Sequence, residues 1–253
     1  MVKAYLMNIV LIILSFTSFG QQWQIKLDGG YSIPISGYAK VDVSQSISII
    51  DGYPVAEDFD KKGHGAAETG NYYAVSIKRL FSNDKVIASL GWGQVSNSVN
   101  TTKISNYYTD FLNDGFYYVF EQNSYTVRYG FFSIGYRHSI SSTSLTLEPL
   151  IGYSSLRYPD YKMTAYLDAT DEFRFEVIPT GPEDDIGTIL LGIQSAIDFN
   201  LSSRVLLGIS MRYLSANFDY TIELVPSGLD SRKDEDTVNF RAFTLGVSLG
   251  IIL

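Results

Sequence analysis

The chain has 253 residues, no cysteine, two histidines, 27 acidic and 19 basic residues, and a formal net charge of −8. The missing cysteines exclude disulfides, thiolate nucleophiles and thiolate metal sites, and His64 and His138 alone leave little for a metal centre. The acidic balance argues against nucleic acid as a partner, and the even texture after the first twenty residues, without a linker or composition break, reads as one domain.

Residues 1–20 carry Lys3, the apolar run Ile9–Leu14 and then Ser18-Phe19-Gly20 before Gln21. A basic start, a short apolar stretch and small residues at the end make a signal peptide over 1–20, with the mature chain spanning 21–253. No later segment approaches the roughly 18 consecutive apolar residues of a transmembrane helix.

The mature chain reads as eight strands of period two, each with two chemically different faces. In the first, Trp23, Ile25, Leu27, Gly29 and Tyr31 oppose Gln24, Lys26, Asp28, Gly30 and Ser32. The second sets Tyr73, Val75, Ile77 and Phe81 against Ala74, Ser76 and Lys78, with Arg79 interrupting the apolar side. The third sets Val86, Ala88, Leu90 and Trp92 against Ser89, Gly91 and Gly93. The fourth starts with Tyr125, Val127 and Tyr129 and continues with Phe132, Ile134 and Tyr136. That change of parity predicts a bulge near Gly130.

In the fifth strand Leu145, Leu147, Ile151 and Tyr153 oppose Thr146, Glu148, Gly152 and Ser154, and in the sixth Ile189, Leu191, Ile193, Ile197 and Phe199 oppose Thr188, Gly192, Gln194, Ala196 and Asp198. The seventh sets Val205, Leu207, Ile209, Met211 and Tyr213 against Arg204, Gly208, Ser210 and Arg212, and the last sets Phe243 to Leu253 against Ala242 to Gly250. The less apolar face is dominated by Gly, Ser, Thr and Ala with isolated charges. That composition suits a narrow lumen better than the wet face of a soluble sandwich, and the apolar face tends to end in aromatics, as membrane interfaces require. The fold class expected is therefore all-β, a closed antiparallel transmembrane barrel of about eight strands.

Short connections near 82–84, 139–142 and 200–203 alternate with long ones over 34–70, 97–124, 156–187 and 215–238. Short turns on the periplasmic side and long loops outside follow, with both termini periplasmic. Asp51-Gly52 and Asp114-Gly115 are hairpin signals inside two long connections, so strand extensions above the membrane and a ten-strand count stay open.

The long connections hold 23 acidic and 9 basic residues. Their densest runs, Glu183-Asp184-Asp185 and Asp234-Glu235-Asp236, are candidates for divalent-cation binding beside lipopolysaccharide phosphates, although solvation of exposed loops is the simpler explanation of the acidity. Asp58 to Gly63 opens like a calcium loop but places Lys62 and Thr69 where ligands are needed, and it is set aside. The lumen face carries Lys26, Asp28, Lys78, Arg128, Glu148, Asp198, Arg204 and Arg212; buried charges must pair, and Asp198 with Arg204 and Asp28 with Lys78 are the expected partners. Arg137-His138-Ser139 is the one Ser/His pairing, and its place at a turn argues against catalysis. No enzyme activity and no cofactor are expected.

The signal peptide, the eight alternating segments and the terminal strand Phe240 to Leu253 together resemble the small outer-membrane β-barrel proteins, the group of OmpX, OmpW and the OmpA membrane domain. The resemblance implies a place in the outer membrane of a Gram-negative bacterium, with outer-membrane lipids and lipopolysaccharide around the wall. It also implies recognition of the terminal strand by the barrel-assembly machinery, and a structural or surface-interaction role through acidic extracellular loops that could engage a surface ligand. The alternative is a narrow porin-like or OmpW-like channel for small or hydrophobic solutes.

Overall fold

The computed structural model describes residues 22–40, 47–50, 53–56, 65–81, 84–112, 115–157, 161–167, 169–178, 184–224 and 232–253. Residues 1–21, His64, the Asp58 to Gly63 stretch and Glu183 lie outside them, as do the side chains of Asp234 and Asp236.

Eight strands close a barrel: β1 (Trp23–Pro34), β4 (Gly70–Phe81), β5 (Val86–Asn97), β7 (Tyr125–Ile140), β8 (Thr143–Arg157), β11 (Ile186–Asn200), β12 (Val205–Leu224) and β13 (Arg232–Ile252). Each pairs antiparallel with its barrel neighbour in sequence, and β1 closes the ring on β13. The alternation of side chains dictates this closure: with one apolar face on every strand and no helix to cover it, joining the two edges gives every barrel strand a partner on both sides. At one end, here the turn end, connections are as short as Ser141-Ser142, where Ser141 takes a positive φ of 54°.

The other, loop end is built up. β2 (Ile47–Ile50) and β3 (Tyr53–Ala56) pair as a separate two-stranded sheet, so the barrel has eight strands rather than ten; Asp51 and Gly52 themselves lie outside the described residues. Asp114 of the second Asp-Gly signal also lies outside the described residues; on its two sides α1 (Thr101–Leu112) precedes β6 (Phe116–Gln122), which forms a three-stranded sheet with β9 (Tyr161–Leu167) and β10 (Glu172–Val177). Asn100 caps α1 by accepting the Lys103 N–H at 3.0 Å. β12 and β13 stay paired up to Leu224↔Arg232, far above the Tyr213↔Phe243 pair, and form a tall ribbon.

The expected bulge near Gly130 is absent. β7 runs unshifted against β5 from Asn97↔Tyr125 to Val86↔Tyr136, and Tyr125, Val127, Tyr129 and Phe131 all point inward while Phe132, Ile134 and Tyr136 point outward. Apolarity changes sides along the strand because its upper half lines a packed interior and its lower half faces outward. Between β7 and β8 the ladder skips Ile134 and Gly135 opposite Pro149, which has no N–H to give.

Candidate functional site: the barrel interior and its outer wall

The interior has two storeys. The lower one, toward the turn end, is a charge layer. Lys26 Nζ donates to Asp198 at 2.5 Å, Lys78 Nζ to Glu148 at 2.7 Å, and Arg212 Nη2 to Asp28 at 2.7 Å. Two of these pairs are linked: Arg212 Nε donates to Gln194 (3.0 Å), Gln194 Nε2 to Ser133 (3.1 Å), and Ser133 Oγ to Glu148 (2.7 Å), which also accepts from Ser89 (2.6 Å). The chain of donors and acceptors runs from Asp28 to Lys78 across the lumen, joining β1, β12, β11, β7, β8, β5 and β4. The space left among them is about 10 Å³, the size at which a cavity holds one water molecule.

Lys26, Asp28, Lys78, Glu148, Asp198 and Arg212 all lie in this layer, but with different partners from those read in the sequence. Asp198 meets Lys26 across the bore rather than Arg204, and Asp28 meets Arg212 rather than Lys78. Arg204 is not in the lumen. It sits exposed in the turn before β12, where the strand parity that would aim it inward has not begun. Arg128 is also outside: it projects from the outer wall, 3.6 Å from Asp185. Gln194, Ser133 and Ser89, the neutral links of the network, carry no sequence signal of their own beyond inward parity.

The upper storey is apolar. Tyr72, Tyr125, Val127, Tyr129, Phe131, Leu150, Leu190, Leu214, Phe218 and Phe240 are buried there as one cluster, which continues into Ile104 and Tyr108 of α1 and Tyr118 and Phe120 of β6. Tyr38, in a short 3-10 helix after β1, lies edge-on to Tyr125 and Phe240 with ring centroids 5.3 Å away in both cases. Burial pushes its phenol well above the usual tyrosine range, so it stays a donor, and it donates to Asn97 at 3.4 Å. Asn97, fully buried, donates in turn to the carbonyls of Ser32 and Glu68. The inward glycines are sockets for this packing rather than open bore: a Cβ on Gly91 would overlap Phe131, one on Gly93 would overlap Tyr129, and one on Gly246 would overlap Tyr72. Arg212 joins the storeys, its guanidinium 5.6 Å from the Tyr72 ring centroid and 5.8 Å from that of Phe131.

The outer wall is the reverse of a soluble surface. Val247, Ile189, Ile151, Leu191, Leu147 and Leu27 are all more than half exposed and belong to a band that runs around the barrel. A soluble monomer does not expose contiguous apolar area on this scale. At the loop-end border of the band an aromatic is followed two residues on by a polar side chain: Tyr73 then Asn71, Trp92 then Gln94, Tyr153 then Ser155, Tyr213 then Ser215, Phe243 then Arg241. At the turn end, Arg79 lies between Trp23 (5.1 Å) and Phe81 (4.9 Å), which keeps its charge within the aromatic border.

Of the acidic candidates, Asp184, Asp185 and Glu235 are exposed at the loop end, and β13 carries the backbone of Asp234 and Asp236. Among the described residues no group of three or more potential ligands is placed to hold a metal ion. No described helix is long and apolar enough to cross a membrane.

A closed antiparallel barrel with a polar, hydrogen-bonded interior inside an apolar band bordered by aromatics is a membrane-spanning β-barrel of the outer-membrane type. Among solved structures, a major outer membrane protein from Thermus thermophilus is similar over 92% of this chain and 100% of its own, at 7% identity and a TM-score of 0.49. OprG of Pseudomonas aeruginosa is similar over 91% and 95%, at 13% identity and 0.48, and Neisserial surface protein A over 92% and 98%, at 9% and 0.43. No family model and no curated protein matches the chain.

Proposed function

We propose that the chain is a non-enzymatic outer-membrane barrel with its loop end extracellular and its termini periplasmic, and that its role is structural or surface-interacting rather than transport. The doubly closed lumen carries this reading. An eight-stranded bore is just wide enough for its own side chains; here one storey is filled by ion pairs and the next by aromatic rings. The glycines that would widen a channel instead receive Phe131, Tyr129 and Tyr72. What the molecule offers to its surroundings is the built-up loop end, with its acidic residues and the sheet of β6, β9 and β10.

In this reading the charge layer of Lys26, Asp28, Lys78, Glu148, Asp198 and Arg212 is a filling that ties the wall together, and the acidic segments at 183–185 and 234–236 meet the external medium. Liposome swelling with a disaccharide, alongside conductance in planar bilayers, tests it. The expected result is no swelling and at most small, irregular ion currents; swelling at the rate of a general porin would sink the proposal.

A further inference from the structure

The aromatic border at the loop end is interrupted on β7, and there the interruption lies directly beneath basic side chains. Where β4, β5, β8, β12 and β13 place an aromatic, β7 places Gly130. It pairs with Trp92 on one side and Tyr153 on the other; Trp92 leans onto Tyr73 and Tyr153 reaches over Gly187, so the strand between the two exposed rings is an open floor without a side chain. Directly above the gap on the same outward face comes Arg128, exposed and held loosely, with Nε 3.3 Å from Gln94 and the guanidinium 3.6 Å from Asp185. One strand over, Arg157 lies opposite Thr126, two residues above Arg128 on β7, and among the described residues it makes no ion pair. Arg241, at the same border, is by contrast committed to the carbonyls of Ala216 and Phe240 and to Asn217.

We propose that this notch binds a membrane lipid with a phosphate-bearing headgroup, the phosphate held between Arg128 and Arg157 and an acyl chain lying on Gly130 between Trp92 and Tyr153. The inference rests on the membrane-barrel reading and adds a place and a chemistry to it. Charge complementarity selects the occupant. Two guanidiniums at the edge of an apolar band, with fork geometry suited to phosphate, face the depth at which lipid headgroups lie. The shape selects an amphiphile over a free phosphate, because the notch continues downward into the apolar band beside Phe132 and Leu90. Asp185 competes for the same guanidinium, and a bound phosphate displaces it.

Trp92 forms one wall and is one of only two tryptophans, so it reports directly. The full mature protein with Trp23→Phe is refolded into phosphatidylcholine vesicles. These contain an equal mole fraction of acyl-brominated phosphatidylglycerol or, as control, acyl-brominated phosphatidylcholine, and quenching of Trp92 fluorescence is measured. The anionic quencher should act more efficiently. The preference should fall by about fivefold for each arginine removed, the factor one basic residue contributes at an anionic membrane surface, and should vanish in Arg128→Gln/Arg157→Gln. Gly130→Leu, whose added Cβ on this exposed face meets nothing nearer than the Gly91 carbonyl at 3.9 Å, should lower quenching by filling the floor while the unheated protein keeps the fast gel mobility of a closed barrel. Equal quenching by both lipids, or a preference that survives the double substitution, overturns the proposal. Absence of quenching by either lipid overturns it too and removes Trp92 from the bilayer altogether, which separates failure of the notch from failure of the membrane reading.

Discussion

Glu148 has no exposure to solvent and accepts hydrogen bonds from Lys78, Ser89 and Ser133. A carboxylate so placed is tolerable only while its cation stays: removing one partner of a buried pair costs about 3 to 5 kcal/mol, whereas replacing both by apolar groups of similar volume is often neutral. Lys78→Met should therefore destabilise the barrel by about that amount, and Lys78→Met with Glu148→Leu should recover most of it. Urea unfolding from lipid vesicles measures both. If the double variant is as unstable as the single one, the pair is not the unit of stability, and Ser89 and Ser133, left without an acceptor, dominate. The identities of the charged residues were legible from inward parity, but their pairings were not. Asp198 and Arg204 are near in sequence, yet Asp198 bonds Lys26 at a separation of 172 residues, because a closed barrel brings opposite walls within side-chain reach.

At the scale of elements, the strands that face the apolar band were readable because each has one uniformly apolar face, and the error on β7 arose where both faces are apolar. Phe131 turns into the plug and Phe132 turns outward, so period two gives no answer there without knowing which residues rise above the band. The helix α1 went unread inside a long connection, although Asn100 as cap and the spacing of Ile104, Tyr108 and Phe111 carry a helical signal. Its work is to cover an edge. Ser105 Oγ accepts the N–H of Phe120 at 2.9 Å and Thr109 Oγ1 accepts that of Tyr118 at 3.0 Å, so two backbone donors of the edge strand β6 are closed off by side chains of a helix. Each hydroxyl also donates back to its own helix, Ser105 to the Thr101 carbonyl and Thr109 to the Ser105 carbonyl, which fixes its lone pairs toward β6. Ser105→Ala with Thr109→Val leaves those two donors unpaired, at about 1 to 3 kcal/mol each. Hydrogen exchange should then speed up at Tyr118 and Phe120 and across α1, with the barrel strands unchanged; acceleration confined to α1 would mean that the hydroxyls stabilise the helix alone.

For the whole molecule, one question decides everything else: whether the exposed apolar band meets lipid or water. Val247 and Asn71 distinguish the two, since both are exposed on the outer wall and differ only in height. Val247, 66% exposed, pairs with Gly29 and Ile209 inside the band, with Leu245 and Leu249 beyond it on the same strand. Asn71 lies two residues above the border aromatic Tyr73 and pairs with Tyr31 and Ser96. In water an arginine at either position would be a surface substitution, worth within about 0.5 kcal/mol. In a bilayer it costs about 2 to 4 kcal/mol at the midplane and about 0 to 1 near the interface. Val247→Arg should accordingly lose about 2 to 4 kcal/mol and Asn71→Arg less than about 1, measured by reversible urea refolding into phospholipid vesicles. The unheated Asn71→Arg protein should keep the fast gel mobility of a closed barrel that resists detergent. Equal and small losses at the two positions would place the band in water and overturn the membrane barrel. Equal and large losses would place the border above Tyr73, so that Asn71, Gln94, Arg128 and Ser155 would lie in lipid and the interface would have to be redrawn one rung higher.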